Sequence, residues 1–211
     1  MLQFDQLRKA YGHKLILDIP SLDLASGIYW LQGPNGTGKT TLLRVAAGIL
    51  SFKGDIRLRG RSLRKNPVAY RQLVGWADAE PLYPGFLRGG DLLAFYRGIL
   101  HPEPGQIERL CATLAVGTWL DSRSASWSSG MTKKISLVLA LLGQPALVLL
   151  DEPFSTLDQE GTAALYALMT EYHRLYGTGF LLSSHQEIDL SRLPDLRELQ
   201  LSEKTIQLSE K

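Results

Sequence analysis

The spacing of apolar residues changes several times along the 211-residue chain, and each change marks an element. Leu2, Phe4 and Gln6 alternate with Gln3 and Asp5, and Leu15–Ile19 is a second short apolar segment, so the start reads as two antiparallel strands. Ser26 and Gly27 mark a turn before a third strand, Ile28–Gln32. Thr40–Leu50 has helical spacing and stops near Gly48, and Asp55–Arg59 is a short strand closed by Gly60. A basic loop, RSLRKN, reads as solvated surface and precedes the buried strand Val74–Ala77. Pro81, Pro84, Gly85, Gly89 and Gly90 then break any regular element and open an inserted region. Asp91–Leu100 and Pro104–Val116 read as two helices, the second preceded by a Pro-Glu-Pro start signal.

Serine dominates DSRSASWSSGM, Asp121 to Met131, but a tryptophan is unusual in a linker, and Gly130 leads at once into the helical pattern Ile135, Val138, Leu139 and Leu142. Leu147–Leu150 is a continuous apolar run that ends in Asp151 and Glu152. Such a run fits a strand buried on both faces of a parallel sheet, with carboxylates emerging at its C-terminal edge. Gln159–Tyr176 is a long helix and Gly179–Ser183 the next strand, followed by Ser184 and His185. The tail, LRELQLSEKTIQLSEK, alternates on both sides of Glu203 and Lys204 and reads as a hairpin.

Composition narrows the class only slightly. Apolar residues at 45% and charged residues at 21% are ordinary for a soluble globular chain, and a net charge of +2 excludes a strongly basic phosphate-backbone binder, so no nucleic-acid partner is expected. The most apolar stretch, Ile135 to Leu150, contains Gln144 and Pro145 and falls short of a membrane span, and the N-terminus lacks a signal-peptide apolar core. Work at a membrane therefore implies a partner. The single cysteine, Cys111, is compatible with a reducing cytoplasm and reads as a helix packing residue.

The chemistry concentrates at GPNGTGKTT. Gly33, Pro34, Asn35, Gly36, Thr37, Gly38, Lys39, Thr40 and Thr41 have the spacing of a phosphate-binding loop, with glycines that let the backbone bend round an anion. Lys39 can reach the β- and γ-phosphates and Thr40 can offer its hydroxyl to magnesium, while the following helix aims its positive end at the nucleotide. A hydrolase also needs a metal anchor and a group that acts on water; Asp151 suits the first, and Glu152, whose side chain diverges from its neighbour's, suits the second. His185, beyond another apolar strand, is placed to contact a terminal phosphate. Tyr11 reads from its own surroundings as a turn residue.

The order of these motifs resembles the nucleotide-binding subunit of ABC transporters over nearly the whole chain. GPNGTGKTT is similar to that family's Walker A, LVLLDEP to Walker B, STLD at Ser155 to Asp158 to the D-loop, and SSHQ to the H-loop. The resemblance reverses the reading of Tyr11, which falls where the family places an adenine-stacking aromatic. It implies an α/β P-loop NTPase core with a mostly parallel sheet, an N-terminal antiparallel β region and an inserted helical subdomain. Within one domain, 1–78 and 132–211 form the core and 79–131 the insertion carrying the signature. WSSGM is closest to the aromatic-Ser-x-Gly-Met variant of export-type systems. Ser128, Gly130 and Asp158 are then nucleotide-site residues, the first two toward ATP on a second subunit.

Cofactors implied are ATP and Mg2+; partners are a second nucleotide-binding subunit and an integral membrane subunit, with the chain peripheral on the inner face of the cell membrane. A heme-export or cytochrome-maturation ATPase is one special case. Two departures stand out. Ser129 occupies a position where many relatives have glycine, and Ala79, between Asp78 and Glu80, stands at the place of the family's Q-loop glutamine. Alanine cannot ligate magnesium, so either Glu80 substitutes or coupling to the membrane partner runs differently, and weakened metal coordination is expected. A soluble ABC ATPase acting on a macromolecular complex and a weakly catalytic regulatory module remain the alternatives.

Overall fold

The computed structural model describes residues 1–208, so the last three residues of the expected tail hairpin lie outside it. Alternating residues build β1 (Leu2–Tyr11), which pairs antiparallel with β2 (Lys14–Leu24) across a turn at Gly12. The alternation breaks at Gln6, which takes a left-handed φ of 48°, so that Leu7 rather than Gln6 joins Leu2 and Phe4 inside. β4 (Lys53–Leu58) flanks β1 on its other side, and β5 (Arg61–Ser62) completes a four-stranded sheet ordered β2-β1-β4-β5.

The basic loop is thus not merely solvated surface. Arg59 and Gly60, both at positive φ, return the chain as a hairpin, and Asp55 Oδ1 accepts from the Ser62 hydroxyl at 2.8 Å and the Arg64 amide at 3.3 Å. Leu63 is buried as a result, and a short helix, α2 (Pro67–Arg71), starts on its proline.

The second sheet combines β3 (Ile28–Gln32), β6 (Val74–Ala77), β7 (Leu147–Asp151), β8 (Gly179–Ser183), β9 (Leu196–Ser202) and β10 (Thr205–Leu208) in the order β10-β9-β3-β8-β7-β6. Only β10 at the edge runs antiparallel, closing a two-residue hairpin in which Glu203 and Lys204 both have positive φ. Its central strands are buried on both faces, and period two sorts their side chains. Tyr29, Leu31, Leu147, Leu149 and Leu181 face the antiparallel sheet and α1 (Lys39–Ala46). Ile28, Val148, Leu150, Phe180 and Leu182 face α5 (Ser129–Leu141) and α6 (Gln159–Tyr176).

Between β6 and α5 lie α3 (Gly89–Leu100), α4 (Gln106–Thr113) and two single 3-10 turns. Cys111 packs in this part of the core, where burial pushes its thiol up to about 11. α5 crosses β6 closely at Gly75, where an added Cβ would collide with the Ala140 carbonyl. Gly75→Ala is therefore expected to cost about 3 kcal/mol, read as a lower denaturant midpoint. An unchanged midpoint would mean that α5 lifts off the strand freely.

Candidate functional site

Register brings the chemistry together. Parallel pairing sets Leu31 opposite Ser183, Ser183 opposite Asp151 and Leu150 opposite Ala77, so four chains leave the same carboxyl edge of the sheet side by side. They carry the loop at Gly33, the pair Ser184–His185, the pair Asp151–Glu152, and Asp78–Ala79.

The loop from Gly33 to Gly38 is held open by its backbone. Gly33 and Gly38 have φ of 150° and 108°, and a Cβ at either would press on Leu201 O at 2.6 Å or Ile16 Cγ2 at 2.8 Å. Lys39, the first residue of α1, is mostly buried and donates to the Gly33 and Pro34 carbonyls at 2.6 and 3.2 Å; the Thr37 hydroxyl donates to Pro34 O at 2.8 Å. Asn35 and Gly36 are exposed at the tip, and Thr41 is half-buried. The result is a cationic ring with amides at a helix N-terminus, an arrangement that binds phosphate.

Asp151 is 1% exposed. Its Oδ1 accepts from the Ser183 hydroxyl at 2.6 Å and from the Thr40 hydroxyl at 3.2 Å, while Oδ2 has no hydrogen-bond partner among the described residues. A buried carboxylate oxygen left in that state is costly, and it belongs to the same carboxylate whose other oxygen meets the threonine of the phosphate loop. Beside it, Glu152 adopts φ 47°; its Oε2 accepts from the His185 amide at 3.0 Å, and its Oε1 lies 3.4 Å from His185 Nε2. Thr40 and Asp151, expected together at a magnesium ion, are thus in contact, and so are Glu152 and His185, which the sequence reads as separate groups.

Other candidates lie apart from this cluster or are engaged locally. Tyr11 is 50% exposed, with the Lys9 ammonium 4.7 Å from its ring centroid. Ser128 caps α5 by accepting from the Met131 amide at 3.2 Å, and a Cβ on Gly130 would sit 2.9 Å from Thr156 O. Neither residue hydrogen-bonds to the loop at 33–41 among the described residues. Ser129 is exposed on the first turn. Asp158 caps α6 through the Gly161 amide, and the Lys134 ammonium at 2.8 Å together with that amide holds its carboxyl below the usual range.

Three groups escaped the sequence reading. Ser183 orients Asp151. Arg44 on α1 donates to both Asp78 oxygens at 3.1 Å, which removes that carboxylate from the open site. Lys133 is fully buried on α5, where burial pulls its ammonium down to about 8 although the carboxylates of Asp151, Asp78, Glu152 and Glu80 draw it back up. Its signal was legible: residues 133, 136, 137 and 140 recur at helical spacing, which places the lysine on a buried stripe.

Comparison with known proteins decides what this loop and carboxylate cluster belong to. The family model described as ABC transporter matches residues 17–155, about two thirds of the chain. The chain belongs to the ABC transporter family. It is an ATP-binding subunit of that family, and ATP hydrolysis is the activity of its fold. A cytochrome c biogenesis ATP-binding export protein from Histophilus somni is 32% identical over 218 residues, covering 93% of this chain and 92% of the relative. An aliphatic sulfonates import ATP-binding protein from Burkholderia cenocepacia is also 32% identical, over 84% of this chain and 65% of the relative. Among solved structures, the ATP-binding subunit of an ABC transporter superposes with a TM-score of 0.87 at 25% identity, covering 99% of this chain and 89% of the other. Relatives that carry import and export in their names match at the same identity, so similarity to them leaves the direction of transport open.

Proposed function

We propose that this ABC ATPase subunit works as one half of a head-to-tail pair that powers export through a separate membrane subunit. The observation that carries the paired reading is the separation of Ser128 and Gly130 from their own phosphate loop: both stand on the first turn of a different helix, available to a nucleotide held by a second copy. Export is supported by the aromatic-Ser-x-Gly-Met stretch. Its aromatic, Trp127, is anchored 5.4 Å from Trp119 and donates from Nε1 to the Ser122 hydroxyl at 2.8 Å, which presents Ser128 outward. Cytochrome c biogenesis is a special case supported by the relative that bears that name. The division into a core of 1–78 and 132–211 and a helical subdomain of 79–131 is part of this reading.

In the reaction, the glycine loop and Lys39 take up the charge of the transferred phosphoryl group, with Tyr11 stacked on the base. Glu152 accepts a proton from the attacking water as its oxygen bonds to the γ-phosphorus and the bond to ADP breaks. His185, held by the same carboxylate, contacts the γ-phosphate. The site fits magnesium: Asp151 Oδ2 is the orphaned oxygen that a cation would satisfy, and the Thr40 hydroxyl meets the other oxygen of the same carboxylate. A bound magnesium would supply charge neutralisation for the phosphates. Alanine at 79 has no side-chain donor to offer such an ion, so the chain would hold it with one ligand fewer than the family pattern supplies.

Among the described residues no helix is long and apolar enough to cross a membrane. Attachment to the inner face of the cell membrane therefore requires a partner in this reading, and one apolar groove suits it. Exposed Ile49, Val68, Phe95 and Ile99 rim a cavity of about 460 Å³ between α2 and α3. The test is co-purification of a membrane subunit from native membranes with the tagged chain. Phe95→Glu is expected to abolish that recovery and leave the ATPase rate of the isolated subunit unchanged. Recovery of the same membrane protein by the variant would exclude this groove.

A further inference from the structure

A lysine on a buried helical stripe is costly unless its donors are used, and those of Lys133 are all directed at backbone. Its Nζ donates to Asp78 O at 2.8 Å, Ala79 O at 2.6 Å and Glu152 O at 3.1 Å, with Asp151 O at 3.5 Å. These acceptors belong to two chain segments only, the one leaving β6 and the one leaving β7. The strands are paired up to Ala77 and Leu150, and beyond that point no ladder bond joins them. Carbonyls turned toward a common point repel one another; a cation between them reverses the sign.

Glu152 needs that support. Its positive φ is strained for a residue with a Cβ, and such a conformation persists only where surrounding bonds hold it. Ser183 holds the Glu152 amide, through its carbonyl at 3.2 Å and its hydroxyl at 3.3 Å; Lys133 and the Ser155 hydroxyl, at 3.0 Å, hold the Glu152 carbonyl. With both ends of the residue tied, the carboxylate is directed to His185.

We propose that Lys133 is a positioning residue for ATP hydrolysis: its ammonium clamps the Glu152 carbonyl to the Ala79 carbonyl and so sets the direction of the Glu152 carboxylate. This rests on Glu152 being the general base. The same clamp joins the base to the segment that opens the helical insertion, at the position where alanine replaces the expected glutamine.

The test compares full-length wild type, Lys133→Met, Lys133→Gln and the core control Val138→Ala on the same helix, each shown to be folded by circular dichroism at the assay temperature. Lys133→Met is expected to lower kcat about 100-fold, the cost of a misaimed group, while the Kd for ATP stays within about twofold. Lys133→Gln, which keeps N–H donors, should fall between it and wild type. Val138→Ala should lower the melting temperature and spare kcat. In a Glu152→Gln background, Lys133→Met should cause no further loss, because the group it aims is already gone. Wild-type kcat in Lys133→Met overturns the proposal, as does a kcat loss matched by Val138→Ala. Failure of both lysine variants to fold also overturns it, since the residue then serves folding. An active Glu152→Gln protein instead overturns the base assignment, which separates the two failures.

Discussion

Glu152→Gln is expected to lower ATP turnover by about 10²–10⁴-fold, the usual contribution of a positioned base, and to leave ATP binding intact. The asymmetry follows from geometry. The amide oxygen of glutamine still accepts from the His185 backbone amide, so the strained turn after β7 is preserved. Gly33, Gly38 and Lys39 take their shape from contacts that do not involve Glu152, so the phosphate loop is unaltered. What disappears is the capacity to hold a proton taken from water. With ATP bound and not consumed, the closed pair should accumulate. Steady-state phosphate release, equilibrium ATP binding and size-exclusion chromatography with ATP present measure the three parts. Undiminished hydrolysis would remove Glu152 from its role.

Asp151→Asn separates scaffold from metal. Asparagine Oδ1 can keep both hydrogen bonds, from Ser183 and Thr40, so the fold should melt within a few degrees of wild type. Its Nδ2 would occupy the place of the orphaned oxygen, and an amide nitrogen repels a cation where a carboxylate draws one. The magnesium concentration for half-maximal turnover is expected to rise about 10–100-fold. Direct titration with manganese as a spectroscopic probe in the presence of ATP gives a readout independent of turnover. Equal metal affinity in the two proteins would show that the buried oxygen faces something other than the ion.

These two variants bear on residues that were legible as types before they were legible as a site. The glycine spacing, the lysine and the carboxylate pair after an apolar strand follow from chemistry that few other residue patterns can perform. Helix and strand order follows from periodicity, because burying one face requires a fixed repeat. Local backbone geometry escaped. The inward turn of Leu7 depends on a left-handed residue at Gln6, and the hairpin through Arg59 and Gly60 depends on Asp55 gathering two donors from the following residues. The first shows in hydropathy only as a polar residue in an apolar slot with leucine after it, and the second leaves no mark there.

By itself the sequence determined the class of chemistry, since a phosphate cradle, a metal anchor and a candidate base are each written within a few adjacent residues. Only the tertiary structure decided how they meet. Asp151 reaches Thr40 across 111 positions, Glu152 reaches His185 across 33, and Lys133 stitches two strand ends that lie 54 and 19 positions away from it. Those encounters are set by the register of parallel strands and by which stripe of α5 is buried, and both are properties of packing between distant segments. A chain read in order shows each donor and acceptor; the sheet determines which of them face one another.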